Sequence, residues 1–434
     1  MRLFPESWKL DEARNLCEEI VDCINKTAPI VDYETPYKMI RTTNVKSGWV
    51  NLDEVNNVDE ATFIKWNRRL TPKRNDIVLT REAPLGDVGL IRSDDKVFLG
   101  QRTMIYRADN KKLDQRFLYY SLQGPTLQAQ IKTYGSGSTV EHMRVPDAEK
   151  LVIPYPPINE QKKISFVLSA YDDLIENNKR RIALLEKMAE EIYREWFVRF
   201  RFPGYQTAEF EKGVPKNWEG GRGDLFFDHA KGKSYTSDDI SESDENAMPF
   251  ITLKSFNRGG GYRGDGLKSY SGKFSDKQLV FEGDVVMAVT DMTQSREVVG
   301  RVARIPDLGE KGAVISLDVI KLVPKTISTT YLYSYMKYSG FGDFIKSFAN
   351  GANVLHLKPD LVTQQVIAMP PEELRNKFDD FVKPIHKKVG FLTKEIENLE
   401  ETKNKLLPRL ISGKLSVDEL DIQFPPSMVD NEAA

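Results

Sequence analysis

Between Pro156 and Phe200 the positions Leu168, Tyr171, Ile175, Asn178, Ile182, Leu185, Ala189, Ile192 and Trp196 follow alternating steps of three and four. That spacing places them on one helix face as the seam of a coiled coil, interrupted by a single polar residue, Asn178. The pattern returns 214 residues later, from Leu168 to Val382, as Val382, Ile385, Val389, Leu392, Ile396, Leu399, Lys403, Leu406 and Leu410. Two seams of equal length in one chain bury each other most simply. Their polar positions predict the direction. A parallel pair would bury Asn178 beside Leu392 and Lys403 beside Ala189, in separate layers. An antiparallel pair centred on Ile182 and Ile396 brings Asn178 near Lys403, so that both share one layer and can hydrogen-bond. The sequence therefore predicts antiparallel helices within residues 154–201 and 368–415.

Outside the helices the chain repeats itself in one order. Pro5-Glu6-Ser7-Trp8 is matched by Pro215-Lys216-Asn217-Trp218, and the stretch 37–48 loosely by 250–261, each a short apolar strand entering a polar, glycine-ended turn. Residues 74–80 resemble 282–289, an acidic turn followed by a β-branched strand. Residues 135–143 align with 349–357, setting His142 opposite His356, and 151–157 align with 365–371, each ending in Pro-Pro before a long helix. Residues 117–132 and 330–348 read as helices broken by a glycine, and Gly413 as a helix C-terminal cap. The class that results is α+β. Two α/β globular domains, 1–153 and 202–367, alternate with two long helices in a pseudo-twofold internal repeat, and residues 416–434 form an acidic tail expected to be disordered.

Composition narrows the function classes. With 434 residues, 40% hydrophobic and 29% charged, the chain is long enough for several cores. It has no apolar run of membrane-spanning length and no signal peptide at its start, so a cytoplasmic address is expected, with no membrane role. Only Cys17 and Cys23 are present, which excludes a disulfide framework or a multi-cysteine zinc site. The net charge of −2 averages unlike regions: residues 65–112 carry 12 Lys and Arg against 6 Asp and Glu. That segment could face phosphates.

Catalytic signatures are missing. There is no phosphate loop, no HExxH and no dinucleotide fingerprint after a strand. Gly259-Gly260-Gly261 lies in a polar turn with no helix behind it, and Pro146-Asp147 with Glu149-Lys150 crowds its acids on one turn, unlike a nuclease metal site. The four histidines do not cluster in sequence. No catalytic, cofactor or metal residue is expected. Nucleic-acid binding has better candidates: Arg41, Thr43, Asn44, Lys46, Lys65, Arg68, Arg69, Lys73, Arg74 and Arg81 in the first repeat, with Lys254, Ser255, Asn257, Arg258 and Arg263 in the second. Bases of this kind neutralise phosphates, while Asn, Thr and Arg offer donors and acceptors that suit base edges.

The repeat, the two Pro-Pro helix starts and Pro156-Pro157-Ile158-Asn159-Glu160-Gln161 leading into a heptad helix with Trp196-Phe197 resemble the DNA-specificity subunits of Type I restriction-modification systems. The match runs nearly the whole chain in order, except that Pro371-Glu372-Glu373-Leu374-Arg375 lacks the Glu-Gln pair. The resemblance implies that each globular part is a target-recognition domain reading half of a bipartite double-stranded DNA site. It implies that the helix pair is a spacer that docks two modification (methyltransferase) subunits, with restriction (translocase and endonuclease) subunits joining them. The chain itself would then bind no cofactor, and S-adenosylmethionine, ATP and magnesium would sit on its partners. From Leu168 to Trp196, 28 residues on, a helix spans roughly 42 Å, on the order of the 34–36 Å turn separating half-sites on one DNA face. Two other classes compete: a self-sufficient DNA methyltransferase or nuclease of another restriction class, and a coiled-coil adaptor without a DNA role.

Overall fold

The computed structural model describes residues 4–135, 141–241, 244 and 246–422. Most of the glycine turn expected at 135–143, and residues 423–434 of the acidic tail, lie outside that range. The chain forms two compact units, one of residues Met1–Ile175 with Asn398–Ala434, the other of Glu176–Glu397. The division falls inside both long helices, so each unit keeps part of each.

The first unit is built on a six-stranded sheet in the order β2 (Cys17–Asp22), β10 (Thr103–Ala108), β7 (Ile77–Arg81), β8 (Leu85–Leu90), β5 (Gly48–Val50), β4 (Val45–Lys46). A three-stranded sheet, β6 (Asn56–Asn57), β3 (Tyr37–Ile40), β9 (Lys96–Leu99), holds β3 and β9 parallel. Strand β1 (Lys9–Glu12) pairs with β11 (Val152–Tyr155), and α1 (Ala13–Leu16), α2 (Glu60–Trp66), α3 (Gln115–Gln123), α4 (Pro125–Gly135) and α5 (Val145–Glu149) complete it. Gly124 separates α3 from α4, as the sequence predicts. In α5 Asp147 is buried and pairs with Arg144 at 2.9 Å, a local ion pair.

The second unit repeats this plan. After the small hairpin β12 (Phe210–Glu211) and β13 (Val214–Pro215), one sheet runs β15 (Phe227–Lys231), β23 (Val319–Pro324), β19 (Val285–Ala288), β21 (Val302–Arg304), matching β2-β10-β7-β8. Another runs β17 (Lys268–Tyr270), β16 (Met248–Ile251), β22 (Ala313–Ile315), β18 (Leu279–Val280), with β16 and β22 parallel as β3 and β9 are. β14 (Glu219–Arg222) pairs with β25 (Val366–Met369), and β20 (Thr290–Asp291) with β24 (Leu355–His356). The helices are α7 (Thr329–Tyr338), α8 (Phe341–Ile345) and α9 (Asp360–Gln364).

The acidic turns show why the two units fold alike. Asp76 Oδ2 accepts from Lys73 N and Asp284 Oδ2 from Phe281 N, both at 2.8 Å. Each carboxylate, buried at Asp76 and half-buried at Asp284, then pairs with a base on the neighbouring strand, Arg107 at 2.7 Å and Lys321 at 2.6 Å. One aspartate thus closes the turn and ties two strands together in each repeat. The match of 37–48 with 250–261 is corrected by two residues. Asn44 Oδ1 accepts from Arg41 N and Ser255 Oγ from Thr252 N, closing equivalent turns, so Ile40 corresponds to Ile251.

The long helices are α6 (Ile158–Tyr193), continued by a π-helical turn over Arg194–Val198, and α10 (Glu372–Leu410). In the first unit Lys403 Nζ lies 2.6 Å from Asp172 Oδ1, and Lys163 Nζ donates to Asp418 O at 2.9 Å. In the second, Asn178 Nδ2 donates to Glu395 Oε2 at 3.3 Å, and the Trp196 ring lies 6.1 Å from Phe378. Rising numbers on α6 meet falling numbers on α10 in the second unit, and on α10 and the segment that follows it in the first, so the pairing is antiparallel. The predicted register is corrected: Lys403 faces Asp172 and Asn178 faces Glu395. A buried ammonium demands a counter-charge, which the neutral amide of Asn178 cannot supply. Leu168, Ile175, Asn178, Ala189, Val382, Ile385, Leu392, Ile396 and Leu410 are buried, and Tyr171, Ile182, Leu185, Ile192, Trp196, Val389, Leu399, Lys403 and Leu406 half-buried. The aromatic cluster of Tyr193, Phe197 and Phe378 joins them in the second unit.

Candidate nucleic-acid interface

In the first unit the candidates lie on the β4–β5 hairpin and on α2 with its following turn. The hairpin tip uses Ser47 and Gly48 in the left-handed region, at φ 53° and 85°, which leaves Lys46 and Ser47 exposed. Thr43 is exposed and Arg41 half-buried. Asn44 is only 4% exposed; its amide also donates to Glu54 O at 3.1 Å. Helix α2 is capped by Asp59, which accepts from Thr62 N at 2.7 Å, and those bonds hold its carboxyl below the usual range. Lys65 lies over the Trp66 ring at 5.4 Å. Arg68 and Lys73 are exposed, with no side-chain ion pair among the described residues. Arg69 is paired with Asp22, and Arg74 with Asp94 at 3.3 Å.

Two first-repeat candidates are corrected to structural roles. Asn44 holds the turn after β3. Arg81 is 7% exposed at the end of β7, 3.9 Å from Asp22, and its carbonyl accepts from Met143 N. Apolar neighbours on a six-stranded sheet bury it, which the local run of charge does not reveal.

In the second unit, Lys254 and Asn257 are exposed, while Ser255 is fully buried and donates to Gly266 O, a third correction to a structural role. Gly259, Gly260 and Gly261 have φ of 81°, 103° and 98°, values open to glycine, and Asn257 Nδ2 spans the loop to Tyr262 O at 3.1 Å. Arg263 is engaged by Asp265 and Arg258 by Glu297 at 3.1 Å. That second pair joins the glycine loop to a segment absent from the candidates, 291–299. There Asp291 Oδ1 accepts from Thr293 N and Oγ1, and Oδ2 from Val298 N and Val299 N at 2.7 and 3.1 Å. Burial pushes this carboxyl's pKa up, but the backbone N–H groups outweigh it and hold it below the usual range.

Gln294 Nε2 donates to Ala352 O at 2.9 Å and Arg296 to Ala349 O at 3.3 Å, which adds the turn at 349–354. Three loops are therefore braced together, with Thr293, Gln294, Ser295, Asn350 and Asn353 exposed on them. Amides and hydroxyls held on a fixed frame can exchange hydrogen bonds with base edges. The sequence signal was present in the polar run Asp291–Glu297 between two apolar strands, but it lacks the positive charge that guided the choice. His142 and His356 occupy one equivalent place: His142 Nδ1 lies 3.2 Å from Glu82 Oε2, and His356 Nδ1 3.4 Å from Thr290 Oγ1.

Residues 18–187 match the family described as Type I restriction modification DNA specificity domain. Over 379 residues the chain is 28% identical to the Type I restriction enzyme MjaIX specificity subunit of Methanocaldococcus jannaschii, covering 84% of this chain and 83% of that protein. Over 431 residues it is 23% identical to the MjaVIII specificity subunit of the same organism, covering 96% and 95%. Over most of its length the chain is similar to Type I specificity subunits. Its fold is similar to the crystal structure of a Type I restriction-modification system S subunit from M. genitalium, with a TM-score of 0.55 and 18% identity over 94% of this chain and 98% of that one.

No group of three or more His, Cys, Asp or Glu that could hold a metal ion occurs among the described residues. No helix among them is long and apolar enough to cross a membrane. Burial, with Asp109 nearby, pushes the Cys17 thiol up to about 12, far from a reactive thiolate.

Proposed function

We propose that this chain is the sequence-reading, non-catalytic subunit of a Type I restriction-modification complex. Type I specificity subunits bind DNA and assemble with other restriction-modification subunits. Each globular part here would read one half of an asymmetric bipartite site. The observation that carries the proposal is the duplication itself. Both repeats share the Asp76–Arg107 and Asp284–Lys321 ties, yet differ in length and composition at the loops, 82–87 against 290–301. One scaffold with two different reading surfaces suits two different half-sites.

The helix pair would set the spacer and dock two modification subunits, with restriction subunits completing the assembly. S-adenosylmethionine would serve adenine methylation on the modification subunits, and ATP and magnesium the restriction subunits. Mapping methylated adenines in a genome that expresses this chain with its modification partner tests the proposal. The expected result is one bipartite, asymmetric motif that vanishes when this chain is omitted. Methylation of the same motif by the partner alone, or by this chain alone with S-adenosylmethionine, would overturn it.

A further inference from the structure

In the first unit the β4–β5 tip and the start of β8 border an open polar pocket of ≈ 330 Å³, lined by Ser47, Gly48, Gly86, Asp87, Gln123 and Gln128 among others. Two glycines shape its wall. Gly48 and Gly86 have φ of 85° and 94°, and a Cβ on Gly48 would lie 2.5 Å from Tyr119 Oη. The amide donors of the lining turn into the protein: Gln123 Nε2 to Tyr119 O at 3.3 Å, and Gln128 Nε2 to Gly86 O and Leu122 O at 2.9 and 2.7 Å. What remains for a ligand is the two amide oxygens, the Asp87 carboxylate and the Ser47 hydroxyl, which can donate or accept. Asp87 is half-buried and its carboxylate has no hydrogen bond or ion pair among the described residues. Burial pushes its pKa up, against the pull of Lys46.

The second unit inverts this chemistry. Val88 pairs with Leu79, and Val302 with Met287, at the same place in the two sheets, so Arg301, paired with Asp343 at 2.7 Å, stands where the unpaired Asp87 does. By the 214-residue spacing of that pair of strands, Lys337 and Gly342 replace Gln123 and Gln128. A Cβ on Gly261 would lie 3.9 Å from Lys337 Nζ, much as one on Gly48 lies 3.6 Å from Gln123 Oε1. One unit has acceptors at a position where the other has two bases, one of them engaged by Asp343.

A pocket in which acceptors predominate and one is an unpaired carboxylate is completed by a ligand that brings N–H donors and tolerates a neighbouring anion. Phosphate fails on both counts. The exocyclic amino groups of cytosine and adenine succeed, and carboxylates accept from cytosine N4 in major-groove readout. Resting on the reading that this unit binds one DNA half-site, we propose that the Asp87 pocket takes the amino group of one base pair of that half-site and fixes its identity.

The test uses the full chain assembled with its modification subunit, and duplex oligonucleotides in which each base pair of the motif is varied in turn. Asp87→Ala is expected to lower discrimination at one base pair of the first half-site by about 10-fold, leaving the second half-site and non-specific binding unchanged. Gln123→Ala, a milder change, should weaken discrimination at the same base pair, and Asp87→Arg should move its preference toward guanine. Discrimination within twofold of wild type at every position for both Asp87→Ala and Gln123→Ala, in protein that melts normally, would overturn the proposal. So would lost subunit assembly with base discrimination intact, which would mark the pocket as a site for a partner's cation. Failure of the unaltered complex to prefer any sequence would instead remove the reading on which the proposal rests.

Discussion

Lys403 Nζ lies 2.6 Å from Asp172 Oδ1 between the two long helices of the first unit, and Tyr120 Oη donates to the other carboxylate oxygen at 2.7 Å. The two charged side chains are 13% and 5% exposed. Water cannot replace a lost partner there. Lys403→Met should cost about 3–5 kcal/mol, because it strands a buried carboxylate, whereas Lys403→Met with Asp172→Leu should recover most of that loss. Urea unfolding followed by circular dichroism measures both. Equal loss in the single and double variants would mean that the pair does not carry the energy.

His386 gives the second unit a dependence on pH. It is 7% exposed on α10, its ring 5.5 Å from Tyr333, and burial, with Arg304 and Lys337 nearby, pushes its pKa down to about 4. The unfolded chain takes up this proton near pH 6.5 and the folded chain resists it. The stability is therefore complete above about pH 6.5 and is lost as pH falls toward 4, by up to about 3 kcal/mol. His386→Leu should flatten the fall in melting temperature between pH 7 and 4.5 relative to wild type. Identical pH profiles would assign the acid sensitivity to carboxylates.

Gln161 and Arg375 answer the missing Glu-Gln pair of the second helix start. Gln161 Nε2 donates to Lys112 O and Pro156 O at 3.3 and 2.8 Å; Arg375 donates to Thr326 O and Pro370 O at 2.8 and 3.0 Å. These carbonyls are equivalent in the two repeats, so a longer donor does the same work. Arg375→Ala should cost about 1–3 kcal/mol by leaving both carbonyls unmet. Arg375→Gln should restore more than half of it in thermal melts. If Gln is no better than Ala, the equivalence is geometric only.

That replacement also marks how far the sequence could be read. The heptad seams and the repeat were legible because period and order are local signals, and Asp76 with Asp284 announced its turn in both copies. The register was not, because Asp172 lies off the strict seam and is placed by Tyr120 from α3, far along the chain. Charge located the hairpin and α2, but Asp22, Asp94, Asp265 and Glu297 engage four of the candidate arginines. A run of bases says nothing about which acid the fold returns to it. The Asp87 pocket was invisible, since Gly48 and Gly86 come from different strands and only the folded sheet sets them together.

The distinction between free and engaged bases can be measured. Arg68 and Lys73 are exposed and outside ion pairs among the described residues. If either meets a phosphate, its change to Ala should weaken binding to all DNA sequences alike and reduce the slope of log K against log salt by about 0.9. Arg81→Ala should instead leave that slope unchanged and lower the melting temperature, since Arg81 is buried at a strand end. A reduced slope for Arg81→Ala, with none for Arg68→Ala, would reverse the assignment.

The corrected register also designs the test of the spacer. Asn178 faces Glu395, and Ala189 and His386 are both buried in the second unit. Removing 180–186 together with 388–394 keeps those layers and deletes one heptad from each helix. Seven residues at about 1.5 Å each are roughly 10 Å, or about three base pairs at 3.4 Å. The methylation motif of the shortened chain, with its partner subunits, should keep both half-sites and lose two to three base pairs between them. Removing the heptad from α6 alone would slide Asn178 off Glu395 and should abolish activity. A motif with unchanged spacing in the doubly shortened chain would separate spacer length from helix length, and the helix pair would then be only a docking surface.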